Sequence, residues 1–151
     1  MGNKSSNMKE LTVKRGKLIQ APTGSGKTTW RDNLVSSHYH NYLDGDRLLL
    51  SAGVKNRHYF WYNQGCEKER EAIQEIFEQS LNQGKNILYS GHPDLLPTDV
   101  LVIIPKEKRW KNLKKRDGYI PTKERFEEEE MVYQEASKRF PTYSSFDDLL
   151  K

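Results

Sequence analysis

Residues 21–28 have the sequence APTGSGKT. They match the phosphate-binding loop pattern G-x-x-x-x-G-K-[ST], except that Ala21 stands at the first position. Small residues let such a loop curl until several backbone N–H groups point inward at phosphate oxygens. The region 11–20 before the loop predicts a short strand that ends in Leu-Ile-Gln at 18–20, and the run after the loop predicts a helix whose positive end adds to the site. The alternative is a Gly- and Ser-rich surface turn that merely ends in Lys-Thr.

This loop predicts a nucleotide site that holds ATP together with Mg²⁺. Lys27 is placed to reach the β- and γ-phosphate oxygens, which makes it a candidate catalytic residue, and the Thr28 hydroxyl is placed to ligate the magnesium ion. The residues expected to contact the nucleotide are Thr23, Gly24, Ser25, Gly26, Lys27, Thr28 and Thr29.

Predicted strands alternate with predicted helices along the rest of the chain. This alternation favours a three-layer α/β/α fold around a parallel sheet of about five strands. Further strands are predicted at 39–43, 86–90, 99–104 and 142–144, and helices at 27–36, 67–83, 106–116, 122–139 and 146–150.

Length and composition suit one globular domain. The chain has 151 residues, of which 34% are hydrophobic and 30% charged, and its net charge is +4. Residues 1–10 are polar and predict a flexible leader before a single domain at 11–151. The longest apolar run, 100–104, is too short to cross a bilayer, so no membrane is expected. Cys66 is the only cysteine, which favours a reducing cytoplasm.

Two carboxylates follow the second predicted strand. Asp44 and Asp46 would lie at the carboxyl end of a parallel strand, facing the crevice where ligands bind. There a carboxylate can accept the proton of an attacking hydroxyl, and Asp44 can join Thr28 in holding Mg²⁺. Arg47 can fix an anionic acceptor by a bidentate contact. The alternative is a tight Asp-Gly turn with solvated charges.

The amino-acid sequence of the loop is also similar to the first motif of superfamily-two helicases. Such a motor needs a strand-borne Asp-Glu pair to activate water, but the candidate strands end in Tyr-Ser at 89–90 and Ile-Pro at 104–105. The acidic run 127–130 is predicted to be a solvated helix face instead. A nucleic-acid-stimulated ATPase or helicase-like fragment, and a regulatory module that binds nucleotide without turnover, remain the alternative functions.

The loop followed by a strand that ends in Leu-Asp-Gly-Asp, residues 43–46, resembles the small-molecule and nucleotide kinases among P-loop proteins. That group includes adenylylsulfate kinases, polynucleotide 5′-kinases, nucleoside monophosphate kinases and related viral kinases. The resemblance implies transfer of the γ-phosphate of ATP to a hydroxyl or phosphate, in the host cytoplasm for a viral member. Because the third strand has no terminal Asp, the resemblance leaves Mg²⁺ to Thr28 and Asp44.

The basic run 106–116 is similar to the arginine-bearing lid of nucleoside monophosphate kinases, here a short lid at about 106–121. Lid arginines in that family neutralise charge on the transferred group. Arg109 and Arg116 are seven residues apart, so a continuous helix would place them on one face as candidate catalytic residues. A solvated basic face, or weak contact with nucleic acid, is the alternative.

Residues 51–65 lie where these kinases place acceptor-binding elements, and they are rich in aromatic and basic residues. Aromatic rings can stack on a base, although they can equally complete the core beneath the lid. The sequence thus predicts a nucleotide-type acceptor, either a free nucleotide or the end or a base of DNA or RNA, and leaves the oligomeric state open. The candidate acceptor-binding residues are Arg47, Arg57, Tyr59, Trp61 and His92.

Overall fold

The computed structural model of the chain describes residues 13–55, 61–62, 64–116 and 120–151. The predicted leader, the candidate acceptor residues Arg57 and Tyr59, and positions 117–119 of the predicted lid lie outside the described residues.

Five strands form a single sheet in the order β2-β3-β1-β4-β5. Every neighbouring pair is parallel, with Ile19 of β1 opposite Leu88 of β3 on one side and opposite Val100 of β4 on the other. The predicted parallel five-stranded sheet is therefore confirmed. The strands are β1 Leu18–Gln20, β2 Tyr42–Asp44, β3 Asn86–Tyr89, β4 Val100–Val102 and β5 Thr142–Tyr143.

Six α-helices connect or follow the strands within the described part of the chain. They are α1 Lys27–Asp32, α2 Ser36–Tyr39, α3 Gly45–Ser51, α4 Glu67–Asn82, α5 Lys106–Lys115 and α6 Lys123–Ala136, and a 3₁₀ helix follows at Phe146–Leu150. None of these described helices has the length and apolar character needed to cross a membrane.

Side chains of β1 and β3 alternate between two layers, as the period of a strand requires. Leu18 and Ile87 pack with Phe77 of α4 in a cluster on one face, while Ile19 and Leu88 belong to a second cluster with Phe146 on the other. Helices therefore cover both faces of the sheet, which accounts for the nearly uniform burial of these central strands.

The segment after β2 is not the tight Asp-Gly turn considered as the alternative, because helix α3 begins there. Asp44 is the N-cap of α3, and its Oδ1 accepts hydrogen bonds from the backbone N–H groups of Asp46 at 3.0 Å and Arg47 at 3.4 Å. A side-chain oxygen at this position satisfies amides that have no partner within the helix. The cap also directs the carboxylate toward the phosphate loop.

Candidate nucleotide and acceptor site

The phosphate loop lies between β1 and α1. Gly24 and Gly26 both have φ of +86°, a left-handed conformation that side chains with a Cβ rarely adopt. A Cβ on Gly26 would meet nothing within 4 Å, so this glycine is required by its backbone conformation and leaves open space above the loop. A Cβ on Gly24 would lie 2.7 Å from Cγ of Leu113, because α5 packs directly against the loop.

Four predicted site residues come together at the carboxyl ends of β1 and β2. The Thr28 Oγ1 hydroxyl donates a hydrogen bond to Oδ2 of Asp44 at 2.9 Å. Lys27 Nζ lies 3.7 Å from Oδ2 of Asp46, and both side chains are largely buried. Thr29 follows in the first turn of α1.

The donor set near Thr28 fits magnesium. Mg²⁺ prefers oxygen ligands and is commonly held by one or two protein side chains, with phosphate and water oxygens completing its shell. The Thr28 hydroxyl and the Asp44 carboxylate offer such oxygens side by side. No group of three or more His, Cys, Asp or Glu side chains that could hold an ion occurs among the described residues, so an ion here would depend on the phosphates as well.

Arg47 makes its bidentate contact with a protein carboxylate. Its Nη1 and Nη2 donate to Oδ1 and Oδ2 of Asp32, each at 2.9 Å, and the side chain is 54% exposed. The hydrogen bond from Arg47 lowers the pKa of Asp32 below its ordinary value. The fork expected to bind an anionic acceptor is thus occupied by Asp32.

Arg109 lies in the interior, contrary to the prediction that it shares an exposed lid face with Arg116. Its side chain is 0% exposed, with Nη1 2.5 Å from Glu130 Oε1 and Nη2 2.7 Å from Glu129 Oε1. Its Nε donates to the Thr23 carbonyl at 3.1 Å. Arg116 follows the last residue of α5 with extended backbone angles and is exposed, so the seven-residue spacing does not put the two on one helix face.

The acidic run 127–130 is only partly solvated, which corrects a second expectation. Glu129 and Glu130 are buried, because both face Arg109. Glu129 also accepts hydrogen bonds from the Thr23 backbone N–H at 3.1 Å and from the Thr23 hydroxyl at 2.9 Å. Burial raises the pKa of Glu129, while Arg109 and Thr23 oppose that rise. Thr23 was expected to contact the nucleotide, but its backbone N–H and its hydroxyl both donate to Glu129 of α6.

Sequence reasoning missed this network, since Glu129 is more than a hundred residues from Thr23 and no local pattern links them. Helix α5, part of the predicted lid, also holds the loop: Asn112 Nδ2 donates to the Gly24 carbonyl at 2.9 Å. The first part of the predicted lid, helix α5, therefore packs against the phosphate loop and supports it.

The turn after β3 is fixed from two sides. Gln20 Oε1 accepts from the Gly91 N–H at 2.6 Å, and the Tyr133 hydroxyl donates to the Gly91 carbonyl at 2.7 Å. This places Ser90 and His92 at the carboxyl edge of the sheet, beside β1. Burial lowers the pKa of the His92 imidazole, so its neutral form is favoured.

Trp61 belongs to the hydrophobic core. It is buried in the cluster with Leu18 and Phe77, and its Nε1 donates to the Tyr89 hydroxyl at 2.8 Å. Trp61 nevertheless lines a cleft of about 510 Å³ together with Tyr62 and His92. The alternative that the aromatic residues complete the core is thus supported for Trp61. The same residue also borders a space large enough for a ligand.

The parallel sheet, the helices on both of its faces and the phosphate loop between β1 and α1 define a three-layer α/β/α P-loop fold. The chain is similar in structure to a gluconokinase from Sinorhizobium meliloti 1021, with a TM-score of 0.50 and 12% identity over 87% of this chain and 82% of that one. It is also similar to TT1252 from Thermus thermophilus, with a TM-score of 0.49 and 21% identity over 86% of this chain and 88% of that one. At 12% identity the likeness to the gluconokinase concerns the fold alone. No protein-family model and no curated protein matches the sequence.

Proposed function

We propose that this chain is an ATP- and Mg²⁺-dependent phosphotransferase that moves the γ-phosphate to a hydroxyl or phosphate of a nucleotide-type acceptor. The observation that carries the proposal is the hydrogen bond from Thr28 to Asp44 beside the Lys27–Asp46 pair. These groups lie outside the carboxyl ends of parallel strands, which is where open α/β sheets bind their ligands.

Each of these residues has a distinct role in the proposal. Bound Mg·ATP supplies the phosphoryl group and neutralises part of its charge. The loop amides and Lys27 hold the phosphate oxygens, and Thr28 with Asp44 supplies oxygen ligands to the ion. Asp44 is fixed by its hydrogen bonds from Thr28 and from the first amides of α3, so we assign it to the ion. Asp46, whose Oδ2 lies 3.7 Å from Lys27 Nζ, is assigned as the acceptor of the proton from the attacking hydroxyl.

The strands that flank β1 favour transfer over hydrolysis. An ATPase needs a carboxylate at a neighbouring strand end to activate water. Among the described residues, β3 is followed by Ser90, and β4 by Ile103 and Ile104, so neither strand supplies one. The aromatic cleft that Trp61 and His92 line supports a base-bearing acceptor. Arg116, exposed at the end of α5, is the remaining lid candidate for neutralising charge on the transferred group.

The proposal is tested by incubating the protein with γ-labelled ATP and panels of nucleosides, nucleotides and 5′-hydroxyl oligonucleotides. We expect labelled acceptor with the wild-type protein and with Asp148→Asn, a matched control at an exposed surface ion pair. We expect Asp46→Asn to lose transfer while it still binds ATP. Steady hydrolysis of ATP with no labelled acceptor in any panel would contradict the proposal.

A further inference from the structure

A small cavity behind the phosphate loop contains two hydroxyl groups without partners. Ser90 Oγ and Tyr62 Oη are buried, and neither has a hydrogen-bond partner within the described structure. Ser90 is only 8% exposed. Buried hydroxyls are nearly always hydrogen-bonded to protein or to water, so this pair beside one cavity indicates a place for one further oxygen atom. The cavity is lined by Thr23, Trp61, Tyr62, Ser90, Arg125 and Glu129.

The size of this inner cavity restricts the group that can enter. Its volume is about 10 Å³, close to the space that one water oxygen occupies. A single hydroxyl oxygen fits there, and a phosphate group with its several oxygens does not. Since the cavity borders Thr23 of the phosphate loop and Ser90 at the end of β3, an oxygen held there lies next to the nucleotide site.

The inner cavity adjoins the cleft of about 510 Å³ through Trp61 and Tyr62, which line both spaces. The ring centroids of Tyr62 and His92 are 5.4 Å apart and tilted by 44°, so they form one aromatic wall of the cleft. A cleft of several hundred Å³ with an aromatic wall suits a ring of nucleoside size.

The charges around the two spaces are balanced. Arg70 lies 3.4 Å from Glu67, and Arg125 lies 3.4 Å from Glu128. Among the described residues, each arginine that lines these spaces therefore has a glutamate beside it, and Glu128 itself borders the cleft. Anionic phosphate groups are instead recognised by clustered cations free to form bidentate contacts. A phosphate-bearing acceptor would place its negative charge beside these carboxylates and lose water there, and an uncharged acceptor would not.

We propose that the acceptor is an uncharged nucleoside-type alcohol, whose ring lies against Tyr62 and His92 and whose hydroxyl is held by Ser90 Oγ and Tyr62 Oη. This inference rests on the proposed phosphotransferase function and restricts it to hydroxyl acceptors. In the reaction the hydroxyl oxygen forms a bond to the γ-phosphorus, and the bond from that phosphorus to the β–γ bridging oxygen breaks. ADP leaves with the bridging oxygen, and the hydroxyl proton passes to Asp46 and then to solvent.

The test measures kcat/KM for deoxynucleosides, for their 5′-monophosphates and for a short 5′-hydroxyl oligodeoxynucleotide. We expect the nucleoside, or the oligonucleotide, to exceed the monophosphate by about tenfold or more, since neither of them brings a 5′-phosphate against the glutamates. Preference between the free nucleoside and the oligonucleotide identifies the source of the nucleoside group. A monophosphate preferred over both overturns this inference but leaves the phosphotransferase function intact. ATP hydrolysis without any labelled acceptor overturns both.

Variants test the two hydroxyls. Ser90→Ala and Tyr62→Phe are each expected to lower kcat/KM for the acceptor about tenfold, while the affinity for ATP stays within about twofold. Tyr143→Phe, on the outer strand β5, is the matched control and is expected to leave kcat/KM unchanged. Because both substitutions only remove an oxygen without a partner, thermal unfolding should be little altered. Unchanged kcat/KM in both Ser90→Ala and Tyr62→Phe would overturn the inference.

Discussion

The Thr28 hydroxyl and the Asp44 carboxylate are joined by a hydrogen bond of 2.9 Å, although Thr28 follows β1 in the chain and Asp44 ends β2, two strands that are separated in the sheet by β3. Thr28 is in the first turn of α1, and Asp44 ends β2 and caps α3. One carboxylate thus anchors a helix and reaches across the edge of the sheet to the phosphate loop. The predictions about catalysis follow from this link.

Asp44→Asn is expected to lower kcat about 100-fold and to raise the Mg²⁺ concentration needed for half-maximal activity. The amide supplies only one neutral oxygen to the ion, but it still caps α3, because Asn and Asp are similar N-caps. The free energy of unfolding should therefore stay within about 1 kcal/mol of the wild-type value. Magnesium titrations of the transfer rate, beside urea unfolding, measure both effects.

The partly exposed Asp148→Asn serves again as the control and should match the wild type in both measurements. Wild-type magnesium dependence in Asp44→Asn would show that Asp44 does not hold the ion.

Lys27→Ala is expected to weaken ATP binding by about 10- to 100-fold, because a charge-assisted hydrogen bond to phosphate is lost. Titration calorimetry with a non-hydrolysable ATP analogue measures the dissociation constant. Lys138→Ala, at a side chain that is 74% exposed and lies two residues after the end of α6, is the control. Equal affinity in the Lys27 variant and the wild type would mean that the loop does not bind the polyphosphate as described.

Arg109→Ala is expected to destabilise the fold by about 3–5 kcal/mol, because Glu129 and Glu130 would keep buried charges without their cation. Urea unfolding followed by circular dichroism measures this loss. Arg116→Ala, at an exposed position, should change the free energy of unfolding by less than about 0.5 kcal/mol.

Arg109→Ala is thus expected to lower the stability of the fold, whereas Arg116→Ala is expected to leave it nearly unchanged. If Arg109→Ala kept wild-type stability and lost only phosphoryl transfer, Arg109 would act on the substrate and its buried role would be wrong.

The lowered pKa of His92 predicts that the free energy of unfolding depends on pH. Its folded-state pKa is lowered from 6.5 chiefly by burial, with Arg70 and Arg139 adding to the shift and Asp94 and Glu128 opposing it. The unfolded state therefore takes up the proton first, so the contribution of His92 is complete above pH 6.5 and is lost as the pH falls below it toward the folded-state pKa. Between about pH 7.5 and 5.5, the wild type should lose more free energy of unfolding than His92→Gln.

An NMR titration of the His92 ring gives its pKa directly. A value at or above 6.5 would contradict this prediction.

The sheet and the phosphate loop could be predicted because their signals are local. The pattern at 21–28 is contiguous, and the strand region predicted at 11–20 before it contains β1, which ends where predicted but covers only Leu18–Gln20. Helix α3 was missed because Asp44-Gly45 favours a turn when considered alone. The signal was present, since a capping Asp precedes the apolar run 48–50.

The environment of Arg109 could not be predicted from its neighbours in sequence. A basic run suggested an exposed lid and four consecutive glutamates suggested an exposed face, yet Arg109 and Glu129 bury each other across 20 residues. Such a pairing depends on how α5 and α6 pack against the phosphate loop, and that packing is tertiary. The same holds for Ser90, whose importance depends on a cavity that no local pattern encodes.

The central claim is that the γ-phosphate goes to an acceptor alcohol and not to water. It is tested most directly by a single reaction with γ-labelled ATP and a saturating nucleoside, in which labelled acceptor, labelled inorganic phosphate and ADP are all counted. Labelled acceptor formed in equal amount to ADP is the predicted result. The same reaction is then repeated with each nucleotide and oligonucleotide in place of the nucleoside. If ADP forms and all of the label is found in inorganic phosphate with every one of these acceptors, the claim is contradicted.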